Sequence, residues 1–221
     1  MNAPAEILEL IKSGDNQKLE RGLKENPALA SAKTEHGISL LQFAAYCRNK
    51  NAIDLLRAHI KEPDIFEAAA IGDLQTLKKH LKKSPDLLNA FAPDGFTCLG
   101  LSVYFGNANI VEYLISKGAD VNIASNNAFK VAPIHSACAI SDYNITELLL
   151  RSGANVNARQ QQGITSLHSA AHNGQTKLAE LLIDNGADIN AKTDSGQTPL
   201  AMALEKNFAE TADMLERRGA V

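Results

Sequence analysis

His168 and His172 stand four residues apart, a spacing that puts both imidazoles on one face of a helix, where they could share a metal ion. His135 lies 33 positions before His168. No carboxylate stands at a matching position to complete a coordination shell, so no metal is expected. Cys47 is followed by Arg48, a neighbour that would lower a thiol pKa and favour thiolate chemistry. A basic residue beside a cysteine is common by chance, and Cys47 carries no catalytic expectation by itself. Lys78, Lys79, Lys82 and Lys83 form a basic run around His80. Leu74, Leu77 and Leu81 share the buried stripe of the same helix, which leaves the lysines on its solvated side. A phosphate-binding glycine loop, a paired-carboxylate motif and a G-x-S-x-G serine are all missing. The residues that could do chemistry thus argue for a protein that is not an enzyme and needs no cofactor.

The elements that would position these residues follow from composition and spacing. Of the 221 residues 45% are hydrophobic and 21% charged, enough to fill a core. Trp is absent and small residues are plentiful, which suits closely stacked helices joined by tight turns. A net charge of −3 gives no general attraction to a phosphate backbone, so no nucleic-acid partner is expected. Three cysteines without CxxC spacing exclude a disulfide framework and a zinc cage. The first residues lack a basic, apolar leader, and no run reaches the roughly 18 apolar residues of a membrane span. A cytoplasmic chain without membrane contact is the expectation.

Two motifs recur in phase. Ala132-Pro133-Ile134-His135, Thr165-Ser166-Leu167-His168 and Thr198-Pro199-Leu200-Ala201 follow one another at a spacing of 33. Gly118-Ala119-Asp120-Val121-Asn122, Gly153-Ala154-Asn155-Val156-Asn157 and Gly186-Ala187-Asp188-Ile189-Asn190 mark the other end of each unit. Thr165 and Thr198 sit where a hydroxyl can cap a helix start, and Pro199 suits the first turn. Ala170 and Ala171 allow close helix approach, and Leu178, Leu181 and Leu182 share one face of a second helix. Gly186 supplies a left-handed cap.

At these residues the chain resembles ankyrin-repeat proteins, since a TPLH-like start and a GADVN-like end are both present. The resemblance implies an all-α solenoid of about seven helix-turn-helix units with short β-hairpin-like loops, with register marks at Ile7, Leu41, Ile65, Leu99, Ile134, Leu167 and Leu200. One unit cannot bury its apolar face alone, whereas a stack can. The chain is read as a single domain over 1–221, with degenerate, paired repeats over 1–93 and regular ones over 94–221. Leu41 to Ile65 spans only 24 residues, so the second unit should lack its hairpin and leave a gap near Arg57 to Pro63, the first place to loosen. Ser125-Asn126-Asn127 should absorb the two extra residues of the fourth unit. Departures from the motif include Lys130 at a turn-glycine position, Cys98 at the TPLH proline, where it should cap a helix start, and Gly100 and Ala201 at its histidine.

The resemblance further implies that His135 and His168 bond between neighbouring units, and that hairpin tips and exposed first-helix positions line a concave groove. Register places Tyr46, Cys47, Phe96, Tyr104, Phe105, Phe129, Ile140, Gln161, Gln162, Ile164, His172 and Asn173 there. The rings of Phe96, Tyr104, Phe105 and Phe129 are expected to cluster as a binding hot spot. The function implied is a non-enzymatic scaffold or adaptor for a partner protein, monomeric and most similar to compact bacterial ankyrin-repeat proteins. A dedicated inhibitor or immunity-type partner of one enzyme is an alternative. An enzyme or metal and small-molecule binder using Cys47 or His168/His172 is another.

Overall fold

A computed structural model describes residues 4–221. Among them are fourteen α-helices and no extended strand. They are α1 (Ala5–Ser13), α2 (Asn16–Glu25), α3 (Leu40–Tyr46), α4 (Lys50–His59), α5 (Ile65–Ile71), α6 (Leu74–Lys83) and α7 (Cys98–Tyr104). After these come α8 (Ala108–Ser116), α9 (Pro133–Ala139), α10 (Tyr143–Arg151), α11 (Ser166–His172), α12 (Thr176–Asp184), α13 (Pro199–Glu205) and α14 (Ala209–Arg217). Every register mark falls within the first half of a first helix. The chain forms two compact units, Met1–Ile110 and Val111–Val221, which divide within α8.

The first unit is one pattern written twice. A helix pair is followed by a proline-led 3-10 turn, Pro27–Ser31 or Pro85–Asn89, entered from Asn26 or Ser84 at φ −140°. A tight hairpin then closes on a single bridge, Lys33 with Ser39 or Phe91 with Thr97, and delivers the chain into the next helix pair. Ser39 and Thr97 accept from the amides of Gln42 and Gly100 and so cap α3 and α7. Thr97 thus takes the capping role expected of Cys98, which is the first helical residue and fully buried. Asn49 and Asn107 repeat as well, donating to the carbonyls of Ile11 and Ala69 in the preceding first helices. Around α1 to α4, Ile11, Leu19, Leu23, Leu40, Leu41, Ala44 and Leu56 are sealed from solvent.

The second repeat does lack its hairpin: only residues 60–64 separate α4 from α5. The expected gap does not open, because other contacts cross the seam. Arg57 pairs with Asp73 at 3.5 Å, and His80 Nε2 donates to the Pro63 carbonyl at 2.9 Å. Pro93, in the second hairpin, lies close enough to Gly37 in the first that a Cβ on Gly37 would touch it at 3.4 Å. Shortening one loop brought the flanking hairpins together.

In the second unit the pairs α9/α10, α11/α12 and α13/α14 follow the regular pattern. His135 and His168 accept at Nδ1 from the amides of Ala132 and Thr165, and donate from Nε2 to the carbonyls of Ala158 and Gln197. Burial lowers both imidazole pKa values. Ala137, Cys138, Ala170 and Ala171 are fully buried where first helices approach one another. Asn122 donates to the Gly153 carbonyl and accepts from the Asn155 amide, and Asn157 does the same with Gly186 and Asp188. Lys130 adopts the left-handed backbone itself, at φ 52°. The extra residues form the loop that Ser125 ties back to Val131.

Candidate functional site

In the first unit the second hairpin carries Asp94 to the end of α3. Its Oδ2 accepts from the Tyr46 hydroxyl at 2.7 Å and from Gln42 Nε2, and its Oδ1 accepts from the Phe96 amide at 3.1 Å. Desolvation first, then the bond to the carboxylate, raises the Tyr46 phenol far above its ordinary value. Thus fixed, Tyr46 meets Tyr104 and Phe105 with ring centroids 5.5 and 5.1 Å away. Tyr104 packs edge-on to Phe105 at 5.1 Å and reaches Phe96 at 6.3 Å. Gly100 makes room for this: a Cβ there would come within 3.2 Å of the Phe96 ring. Glycine at the motif's histidine position therefore admits an aromatic ring. Tyr104 is 37% exposed, while Tyr46, Phe96 and Phe105 are half-buried, so the cluster offers an apolar face.

Cys47 follows α3 as its half-buried cap and packs against the core of α1 to α4. Burial pushes its thiol pKa up, and the cation opposing that shift is Lys12 rather than Arg48. Burial thus works against the lowered thiol pKa that the neighbouring Arg48 suggests in sequence.

In the second unit, Ile164, His172 and Asn173 line one cleft of about 340 Å³. Gln160, His168, Ser169, Gln197, Met202, Glu205 and Ala139 complete it. Glu205 and Gln197 escaped the sequence reading, which stopped one unit early: they stand one repeat after His172 and Ile164. Gln161 and Gln162 expose their side chains while their backbones join the turns, Gln161 donating to the Phe129 carbonyl and Gln162 accepting from the Asp194 amide. Phe129 is 60% exposed on this unit. Ile140 follows α9 and is half-buried. His168 spends both ring nitrogens on protein atoms, and among the described residues no group of three or more His, Cys, Asp or Glu could hold a metal.

Fold and motif together define the class, and a family model described as "Ankyrin repeats (3 copies)" matches residues 65–160 and 134–220. The chain belongs to the ankyrin-repeat family, whose repeats serve as a protein-interaction module. It is 30% identical over 106 residues to Ankyrin repeat and SAM domain-containing protein 6 of Rattus norvegicus, covering 48% of this chain and 12% of that one. It is 33% identical over 97 residues to DNA-binding protein RFXANK of Homo sapiens, covering 42% and 37%. It is also 33% identical over 103 residues to Probable 26S proteasome regulatory subunit p28 of Saccharomyces cerevisiae, covering 45% and 44%. The chain spans less than half the length of each of these relatives.

Proposed function

We propose that this chain is a non-enzymatic adaptor that binds a partner protein through the exposed ends of its first helices and the adjoining hairpin tips. The observation that carries this reading is the ring cluster of Tyr46, Phe96, Tyr104 and Phe105, held in place by Asp94. A core does not require Tyr104 where it stands, and rings fixed at a partly exposed face lose little entropy on binding, as in interface hot spots. One of the relatives is named as a regulatory subunit of the proteasome, which supports an adaptor role. The reading includes a cytoplasmic, monomeric chain. It is supported by three free thiols and by the lack, among the described residues, of a helix long and apolar enough to cross a membrane.

The test is affinity capture from native lysate with the intact chain and its Tyr104→Glu variant, the two first matched by circular dichroism. A protein retained by the parent and lost by the variant supports the reading. Equal capture by both, or none by either, contradicts it.

A further inference from the structure

We infer that the cleft of the second unit receives a lysine or arginine side chain of the partner protein, which rests on the adaptor reading and gives it a chemistry. The walls suit a long basic side chain. Ile164 and Met202 supply hydrocarbon on which a methylene stem can lie, as basic side chains do when only their heads stay polar. At the rim stands the exposed carboxylate of Glu205, which Gln197 orients by donating from Nε2 at 3.1 Å. Ala139, His172 and Glu205 are the last residues of α9, α11 and α13, so three helix ends of partial negative charge finish at the same cleft. Arg151, Arg159 and Arg218 of this unit pair with Glu147, Asp194 and Asp184, none of which lines the cleft.

Other guests fit worse. An acidic side chain would meet Glu205 and the helix ends as like charge. An apolar one would cover the Glu205 carboxylate and the amides of Gln197 and Asn173 without offering them partners, a desolvation cost that its own burial would have to exceed. A guanidinium or ammonium group offers donors to all three while its stem covers Met202 and Ile164.

The experiment is an amide NMR titration of the full ¹⁵N-labelled chain with the peptide acetyl-Gly-Ala-Arg-Ala-Gly-amide, and with the same peptide carrying Lys, Leu or Glu at its centre. The Arg and Lys peptides should shift the amides of Ile164, His172, Asn173, Gln197 and Glu205. Glu205→Gln, folded by the same spectrum, should weaken them about three- to fivefold, the range of a partly solvated ion pair. Raising salt should weaken them too. Equal or stronger shifts with the Leu or Glu peptide would overturn the inference, as would Arg binding unchanged in Glu205→Gln, or no shift of cleft amides. Those failures leave the Tyr104 capture test untouched, so a wrong guest and a wrong function are distinguished.

Discussion

Replacing Asp94 by alanine removes the acceptor shared by Gln42, Tyr46 and the Phe96 amide, and its cost can be worked from the three donors. Hydrogen bonds to a charged group contribute about 1.5–3 kcal/mol each, but only where water cannot replace the partner. The Phe96 amide and the half-buried Tyr46 hydroxyl can turn partly to solvent. Gln42 is only 2% exposed, so its amide is stranded at about 1–3 kcal/mol. Together these give a loss of about 2–4 kcal/mol for Asp94→Ala. Asp94→Asn keeps one acceptor oxygen and should lose about half as much. Tyr46→Phe removes one bond, at about 1 kcal/mol. Urea unfolding followed by far-UV circular dichroism measures all three. In a double-mutant cycle Tyr46→Phe and Asp94→Ala should be strongly non-additive, because they break the same bond. A loss under about 0.5 kcal/mol for Asp94→Ala, or simple additivity, would refute the view that this carboxylate ties the second hairpin to α3.

The remaining expectations concern packing and protonation. Gly174→Ala should cost clearly more than Gly118→Ala. Both have positive φ, but a Cβ at 174 would meet the Phe208 ring at 2.4 Å whereas the one at 118 meets nothing, so thermal melts isolate the clash. Ala171→Leu, at a fully buried helix crossing, should lose about 1–3 kcal/mol in urea. Burial holds His135 and His168 below the ordinary 6.5, so the unfolded chain binds their protons more readily. Their contribution is therefore whole above about pH 6.5 and lost as pH falls through the lowered values. Urea midpoints from pH 7.5 to 5.5 should fall, and less steeply for His135→Gln/His168→Gln. Burial raises the Glu67 pKa, so the carboxyl favours folding when protonated and loses that contribution as pH rises through its folded value. Glu67→Gln, which can still accept from the Asp64 amide, should melt no lower than the parent at pH 7.

Much of the fold was legible because two motifs fixed both ends of each unit. The caps at Thr165 and Thr198 and the left-handed turn at Gly186 are local features, set by residues near them in sequence. The paired 3-10 turns after Asn26 and Ser84 each begin at a proline, so the likeness of the two degenerate units is local as well. Contacts between distant segments were not legible. The Asp94 bonds to Gln42 and Tyr46 join a hairpin to a helix about two repeats earlier, and they exist because a shortened loop let the hairpins meet. Counting residues found the deletion and mistook it for a gap. For a related reason the surroundings of Cys47 were not legible: Arg48 is its neighbour in sequence, whereas the burial that raises its thiol pKa comes from packing on the core of α1 to α4. Register alone places Tyr104 and Phe105 at the end of a first helix, where the structure packs them edge-on in the ring cluster.

The most direct test of the central claim is amide hydrogen exchange of the intact chain, alone and bound to the protein that it captures. Binding should slow exchange at the C-terminal end of α3 and around Tyr104 and Phe105. Protection confined to the second helices α2, α4 and α6, with these amides unchanged, would contradict it.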